Sequence, residues 1–189
     1  MNGPNLGAHV DLAELARVAS RAIPEGVWDI PPQVGIILVQ DDGDLRIEGF
    51  PLSARLWEGR HPADVLKALT AHMKSDPIGP PPDGDVTPIG ILGCTEGYAA
   101  HIPPDTPQAE ADAFEEWVET HSLADHPWGC ESRDVIVVGF DGSLHWVNHL
   151  RGHNDHRLVA SAEHLDDWPS GRLVDALRGF TLAVKDAVS

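Results

Sequence analysis

The chain has 189 residues, 42% hydrophobic and 23% charged, with 13 basic against 30 acidic side chains and a net charge of −17. These values fit one globular domain, residues 1–189, that buries roughly 70% of its unfolded surface. The charge excludes ordinary electrostatic binding to nucleic acid or anionic lipid, since both need a basic footprint.

No apolar run of about 18 residues exists, and the first residues, MNGPNLGAHVDLAEL, lack a basic start and an apolar signal core. A soluble cytoplasmic protein without membrane attachment is expected. Cys94 and Cys130 make no disulfide framework and read as two reduced, packed thiols.

In chain order, a first helix is predicted from Asp11, with Glu14 completing a capping box and Leu12, Leu15, Ala16, Ala19 and Ile23 forming one apolar stripe. Pro24 and Gly26 end it. Ile36 to Val39 then reads as a strand apolar on both faces, followed by a turn at Asp42-Gly43 and a return strand in which Leu45 and Ile47 oppose Arg46 and Glu48. Pro62 opens a second helix lined by Val65, Leu66, Leu69 and Met73. Ile78 to Asp85, IGPPPDGD, excludes regular structure and is expected to be a connector or a partner-facing loop.

Pro88 to Ile102 reads as a long strand whose glycines mark a bulge or a close backbone neighbour. Thr106 and Pro107 open a third helix, with Phe114, Trp117, Val118 and His121 on one side and Glu110, Glu115, Glu116 and Glu119 mostly on the other. The clearest signal follows. Val135, Ile136, Val137 and Val138 are consecutive β-branched residues, which suit a central strand covered on both faces. Asp141-Gly142 supplies the hairpin turn. The return strand puts Leu144, Trp146 and Leu150 on one face and His145, Val147 and His149 on the other, with one face expected to be wetter. Arg157 to Ala160 suits a short edge strand, and Ser170 a cap for a last helix carrying Leu173, Leu177, Phe180, Val184 and Val188.

The fold class is therefore α+β. A mixed, mostly antiparallel sheet of five to six strands is built from two β-hairpins and a long strand, packed with about four helices. The shared pattern of the two hairpins permits an internal duplication, although convergent turn chemistry explains it more simply.

Between Lys74 and Arg133 there is no lysine or arginine, while acidic residues recur throughout. Such a surface suits a partner protein with a basic face or mimicry of nucleic acid, although an acidic, lysine-poor composition that reflects genome bias and solubility explains it more simply. For chemistry, there is no GxSxG elbow, phosphate-binding loop or dinucleotide fingerprint. His145, His149, His153 and His156 have metal-ligand spacing for a helix, but on a strand they spread apart as solvated imidazoles. Cys94, His121, His126 and Cys130 have the right ligand types for zinc without the closely spaced cysteine pair of common sites. Glu96 and His101 form an acid-base pair if both line a cleft. No cofactor, metal or catalytic residue is assigned.

The order of elements resembles the JAMM/MPN metalloprotease fold, whose site needs His-x-His followed by a spaced Ser and Asp. Here two residues separate His153 from His156, and Ser161 is not followed by Asp at that spacing, which leaves such an activity without its zinc ligands. GCTEGYAAHIP (Gly93 to Pro103) and ADHPWGCESRDVIVVGFDGSLHWV (Ala124 to Val147) resemble a set of uncharacterised proteins from actinobacteria and their phages. Thr95, Glu96, Tyr98, Asp125 and His126 carry the match, whereas Trp128-Gly129-Cys130 departs from it. The resemblance implies an actinobacterial or phage cytoplasmic protein and makes those five residues site candidates. A bulge at Glu96 and a turn at His126-Pro127 are their structural alternatives.

The function expected is non-enzymatic protein binding, with Glu110, Glu115, Glu116 and Glu119 facing a host or phage partner that has a basic surface; self-association is also open. The competing expectation is a metal-dependent hydrolase using histidines and Glu96.

Overall fold

The computed structural model describes residues 10–24, 26–75, 86–100, 102–103, 105–164, 167–169 and 171–188. Its centre is an antiparallel sheet of six strands: β1 (Gln33–Gln40), β2 (Leu45–Gly49), β3 (Val86–Ala100), β4 (Gly129–Gly139), β5 (Leu144–Leu150) and β6 (His156–Ala162). Their order across the sheet is β2-β1-β3-β4-β5-β6. Four helices accompany it: α1 (Leu12–Ala22), α2 (Pro62–Ser75), α3 (Gln108–Val118) and α4 (Arg172–Val188). The α+β class read from the sequence is the class observed. The 78–85 segment, His101 and Ser170 lie outside the described residues.

The strand Val135 to Val138 behaves as its composition dictates. Ile136 and Val138 join Val34, Ile91 and Leu144 in a core closed by α2 and α4, where Leu66, Leu177 and Phe180 are buried. Val137, from the same strand, turns to the other face and meets Ile37, Val147 and the Leu12 and Ala16 side chains of α1. Each such aliphatic side chain contributes about 1.5–3 kcal/mol when fully buried, so a strand covered on both faces anchors the molecule. The capping box is partly realised: the Asp11 carboxylate accepts from the Glu14 N–H at 3.0 Å and starts α1 over β4, β5 and β6.

Four details depart from the sequence reading. The return strand β2 has no buried face; all five residues are exposed, because it is the sheet edge and α1 lies over the far strands. β5 is not half-wet, since α1 and its neighbours close over its histidine face and leave His149 only 2% exposed. The solvated imidazole expected there is thus a buried one. No bulge occurs at Glu96, where the β3–β4 register runs unbroken from Gly90↔Gly139 to Ala100↔Gly129; the irregularities fall at Ile37/Leu38 and Trp146/Val147. Finally, α3 begins at Gln108 with Pro107 at its cap and no side-chain cap bond, so Thr106 does not start it. The expected turn at His126-Pro127 is present, closed by the Gly129 N–H donating to the His126 carbonyl at 2.8 Å.

Candidate functional site

Strand lengths create the feature that stands apart from the rest of the sheet. β1 stops pairing at Gln33↔Cys94, and β5 stops at Leu150↔Ser132. β3 and β4 continue together to Ala100↔Gly129. Past Cys94, among the described residues, β3 is therefore paired on one side only, and Gly97 to Ala100 present an open edge. Tyr98 is 46% exposed there, with exposed Ile102 just beyond it.

α3 is mounted on this tip by aromatic contacts. Phe114 is buried, with its ring centroid 4.7 Å from His126 and 5.0 Å from Trp128. Trp117 lies 4.7 Å from His126 and stacks on His121 at 4.7 Å and 10°. A short 3₁₀ turn, Leu123–Asp125, leads into β4, and a Cβ at Gly129 would run into the Leu123 carbonyl, so that position needs glycine. With its aromatic side held down, α3 leaves Glu110, Glu115, Glu116 and Glu119 exposed, together with Asp112. Of the residues singled out from the sequence, the tip gathers Tyr98, the four glutamates, exposed Asp125 and half-buried His126, whose Nδ1 accepts from the Trp128 N–H at 3.1 Å.

Glu96 has a different task. Its Oε1 accepts two bonds from Arg133, at 3.1 Å from Nε and 2.7 Å from Nη2. Its Oε2 accepts the N–H groups of Asp29 and Ile30 at 2.7 and 3.2 Å. The Arg133 side chain is 0% exposed and that of Glu96 15%. Arg133 also donates to the Val27 carbonyl, and the Trp28 ring lies 4.6 Å from its guanidinium. Both Glu96 oxygens are thus committed to holding the 27–30 loop on the sheet, with Asp29 in the left-handed region at φ 65°. Thr95 is half-buried on the opposite face, across from Asp134.

Beside this strut, the His149 and His156 rings stack at 4.3 Å and 18°. His149 Nε2 bonds the His153 carbonyl at 2.8 Å. His156 Nδ1 and the Ser20 hydroxyl share a bond of 2.7 Å. A serine next to an imidazole suggests a nucleophile, but Ser20 is fully buried on α1 and no substrate carbonyl can reach it. The pair joins α1 to β6. The sequence reading grouped His149, His153 and His156 but expected their rings to spread apart along the strand; instead the β5–β6 pairing sets His149 opposite His156 and stacks the two rings, and Ser20, 136 residues from His156, was not foreseen.

The four residues with zinc-ligand chemistry do not gather. Cys94 faces Val135 and Cys130 faces Ala99, so they sit five pairs apart along the ribbon, roughly 16 Å at ~3.3 Å per residue. Among the described residues no three His, Cys, Asp or Glu side chains are placed to hold an ion. Burial pushes the Cys94 thiol up to about 11, which leaves it a poor ligand and nucleophile.

A cavity of about 670 Å³ opens at the opposite end of α1, lined by Asp11, Asp141, Ser143, His145, Glu163 and His164, with Val10 and Leu12. Asp11, Asp141, Ser143 and His145 are engaged in local hydrogen bonds. Burial raises the Asp141 carboxyl, but the Ser143 N–H and hydroxyl outweigh it and hold the group below its ordinary value. Burial also draws the His145 imidazole down, against the pull of Asp11 and Asp141, and its Nδ1 meets the Ser161 hydroxyl at 2.9 Å.

No helix among the described residues is long and apolar enough to cross a membrane. Comparison with known proteins finds no matching family model, no matching curated protein and no matching solved structure.

Proposed function

We propose that the protein is a non-enzymatic binding module that receives an extended, basic segment of a partner protein at the tip of the β3–β4 ribbon. The carrying observation is the open edge Gly97–Ala100, set beside a helix whose acidic side the other described residues leave exposed. An added strand gains main-chain hydrogen bonds from such an edge, Tyr98 and Ile102 offer apolar anchors, and the glutamates of α3 select lysine and arginine in the incoming chain. The absence of lysine and arginine from 75 to 132 keeps their like charges from opposing that choice. We place the encounter in the cytoplasm of an actinobacterium or of a phage-infected cell, where the free thiols of Cys94 and Cys130 meet no oxidant.

The test uses defined peptides: an alternating lysine-valine peptide and its glutamate-valine counterpart, titrated into the protein while amide hydrogen exchange is followed. The basic peptide is expected to slow exchange at Gly97–Ala100. Replacing Glu110, Glu115, Glu116 and Glu119 together by Gln is expected to weaken its binding by roughly 4-fold to several hundred-fold, at ~0.2–1 kcal/mol for each exposed charge. Equal binding of the acidic peptide, or protection confined to other strands, would remove this reading.

A further inference from the structure

Of the sheet's two end strands, β2 and β6, β2 has an edge sequence that is complementary to itself. β2 stands at the end of the strand order with every residue exposed, including Leu45 at 40% and Ile47 at 43%. The Phe50 N–H donates to the Val34 carbonyl and the Gln40 N–H to the Asp44 carbonyl, each at 2.9 Å. In an antiparallel pair those inward bonds alternate along the strand, so Leu45, Ile47 and Gly49 aim their own N–H and C=O groups outward, where no described residue meets them. We infer that this edge pairs with β2 of a second copy of the chain, antiparallel, about a two-fold axis through Ile47, so that two sheets continue as one.

Register selects this arrangement. A two-fold axis normal to the sheet keeps each face on its own side, so only residues on the same face can stand opposite each other. Centred on Ile47, the pairing sets Ile47 against its own copy, and Arg46 against Glu48 of the second copy twice over. Sliding one way, to Leu45 opposite Ile47, sets Arg46 against Arg46 and Asp44 against Glu48. Sliding the other way, to Ile47 opposite Gly49, sets Glu48 against Glu48. The central register is the one of these three that meets opposite charges and avoids like ones. Arg46 and Glu48 already lie 3.7 Å apart along the strand with both side chains about half exposed, available to exchange partners.

The turn chemistry agrees. The acidic run Asp41, Asp42 and Asp44 falls beside Phe50 to Ser53 of the second copy, a stretch with no charged residue, so the turns do not meet each other. The net charge of −17 on each copy opposes association at long range, and physiological salt shortens that repulsion to a Debye length of about 8 Å while leaving the contacts across the edge in place.

Sedimentation velocity at physiological salt, carried to about 1 mM protein so that weak pairing is visible, tests the inference. The expected result is a concentration-dependent shift toward twice the 20.4 kDa mass of the chain. Arg46→Glu and Glu48→Arg are each expected to remain monomeric by themselves. An equimolar mixture of the two is expected to dimerise, as is the double variant Arg46→Glu/Glu48→Arg, because opposite charges face each other again. Both positions are exposed, so unchanged circular dichroism verifies that the variants fold. Wild-type protein that stays monomeric throughout, as a merely protected edge would, overturns the inference. So does a dimer that survives in both single variants, or one that the charge swap fails to restore.

Discussion

Glu96 and Arg133 divide their bonding capacity so that neither can be lost alone. Removing the carboxylate strands a guanidinium that has no access to water and also frees the Asp29 and Ile30 N–H groups. Breaking a buried pair from one side costs about 3–5 kcal/mol, so Glu96→Ala is expected to lower the urea midpoint by a large share of the total stability. Glu96→Gln keeps acceptors for the loop and is expected to cost less; equal losses would show that the loop bonds matter little. Thiol labelling separates the cysteines in the same spirit: iodoacetamide on the native protein is expected to modify half-buried Cys130 well before Cys94, whose thiol is pushed up to about 11, and mass spectrometry reads the order. Asp134 supplies a pH dependence. Burial raises its carboxyl above the ordinary 3.8, despite bonds donated by Trp146 Nε1 and Asn148 Nδ2 at 2.8 and 2.7 Å. A carboxyl raised by folding favours the folded state fully below 3.8, and that advantage is lost as pH rises through its folded value. Asp134→Asn, which can accept the same two bonds without ionising, is expected to unfold at a higher temperature than wild type at pH 7. Below pH 3.8 the gap should close; a gap that widens in acid would mean that folding lowers the Asp134 carboxyl instead of raising it.

At the scale of elements, α3 tests how firmly the tip is mounted. Phe114 is its one buried side chain, and Phe→Ala truncations cost about 3–5 kcal/mol. Because α3 hangs on the tip by a ring cluster, Phe114→Ala is expected to speed amide exchange throughout 108–118 while the amides of β3 to β5 keep their protection. A uniform loss across the sheet would mean that the helix is part of the global core. This contrast also explains what could be read in advance. Consecutive β-branched residues announce a doubly covered strand because the pattern is local, and Val135 to Val138 was legible for that reason. Alternation in β2 and β5 is just as local, but it says nothing of which face a distant helix will choose. α1 chose β5 and left β2 bare, so β5 is largely covered on both faces and β2 on neither. The Arg133 strut was illegible for a similar reason: its partners lie 37 residues away at Glu96 and 106 away at Val27, and no sequence period links them. The acidic side of α3 was legible from composition, while the open edge beside it depends on where β1 happens to stop.

Across the whole molecule, charge sets how the fold responds to its medium. Of the six ion pairs among the described residues, Arg133–Glu96 is buried and the other five are substantially exposed. Exposed pairs contribute about 0–1 kcal/mol each and fade with salt. Set against them is the mutual repulsion of a chain carrying −17, which compaction intensifies and the same salt relieves. Raising NaCl from about 0.01 to 0.1 M shortens the Debye length from about 30 to 10 Å. That is enough to screen repulsion across the body of the molecule while acting more weakly on contacts at bonding distance. Repulsion should therefore dominate the response. At roughly 2–4 °C per kcal/mol for a chain of this size, relief of ~1–2 kcal/mol should raise the unfolding temperature by about 2–8 °C. The measurement is a calorimetric salt series at protein concentrations where sedimentation finds monomer, so that association through β2 does not contribute to the shift. An unfolding temperature that falls steadily with NaCl would place the balance with the exposed ion pairs.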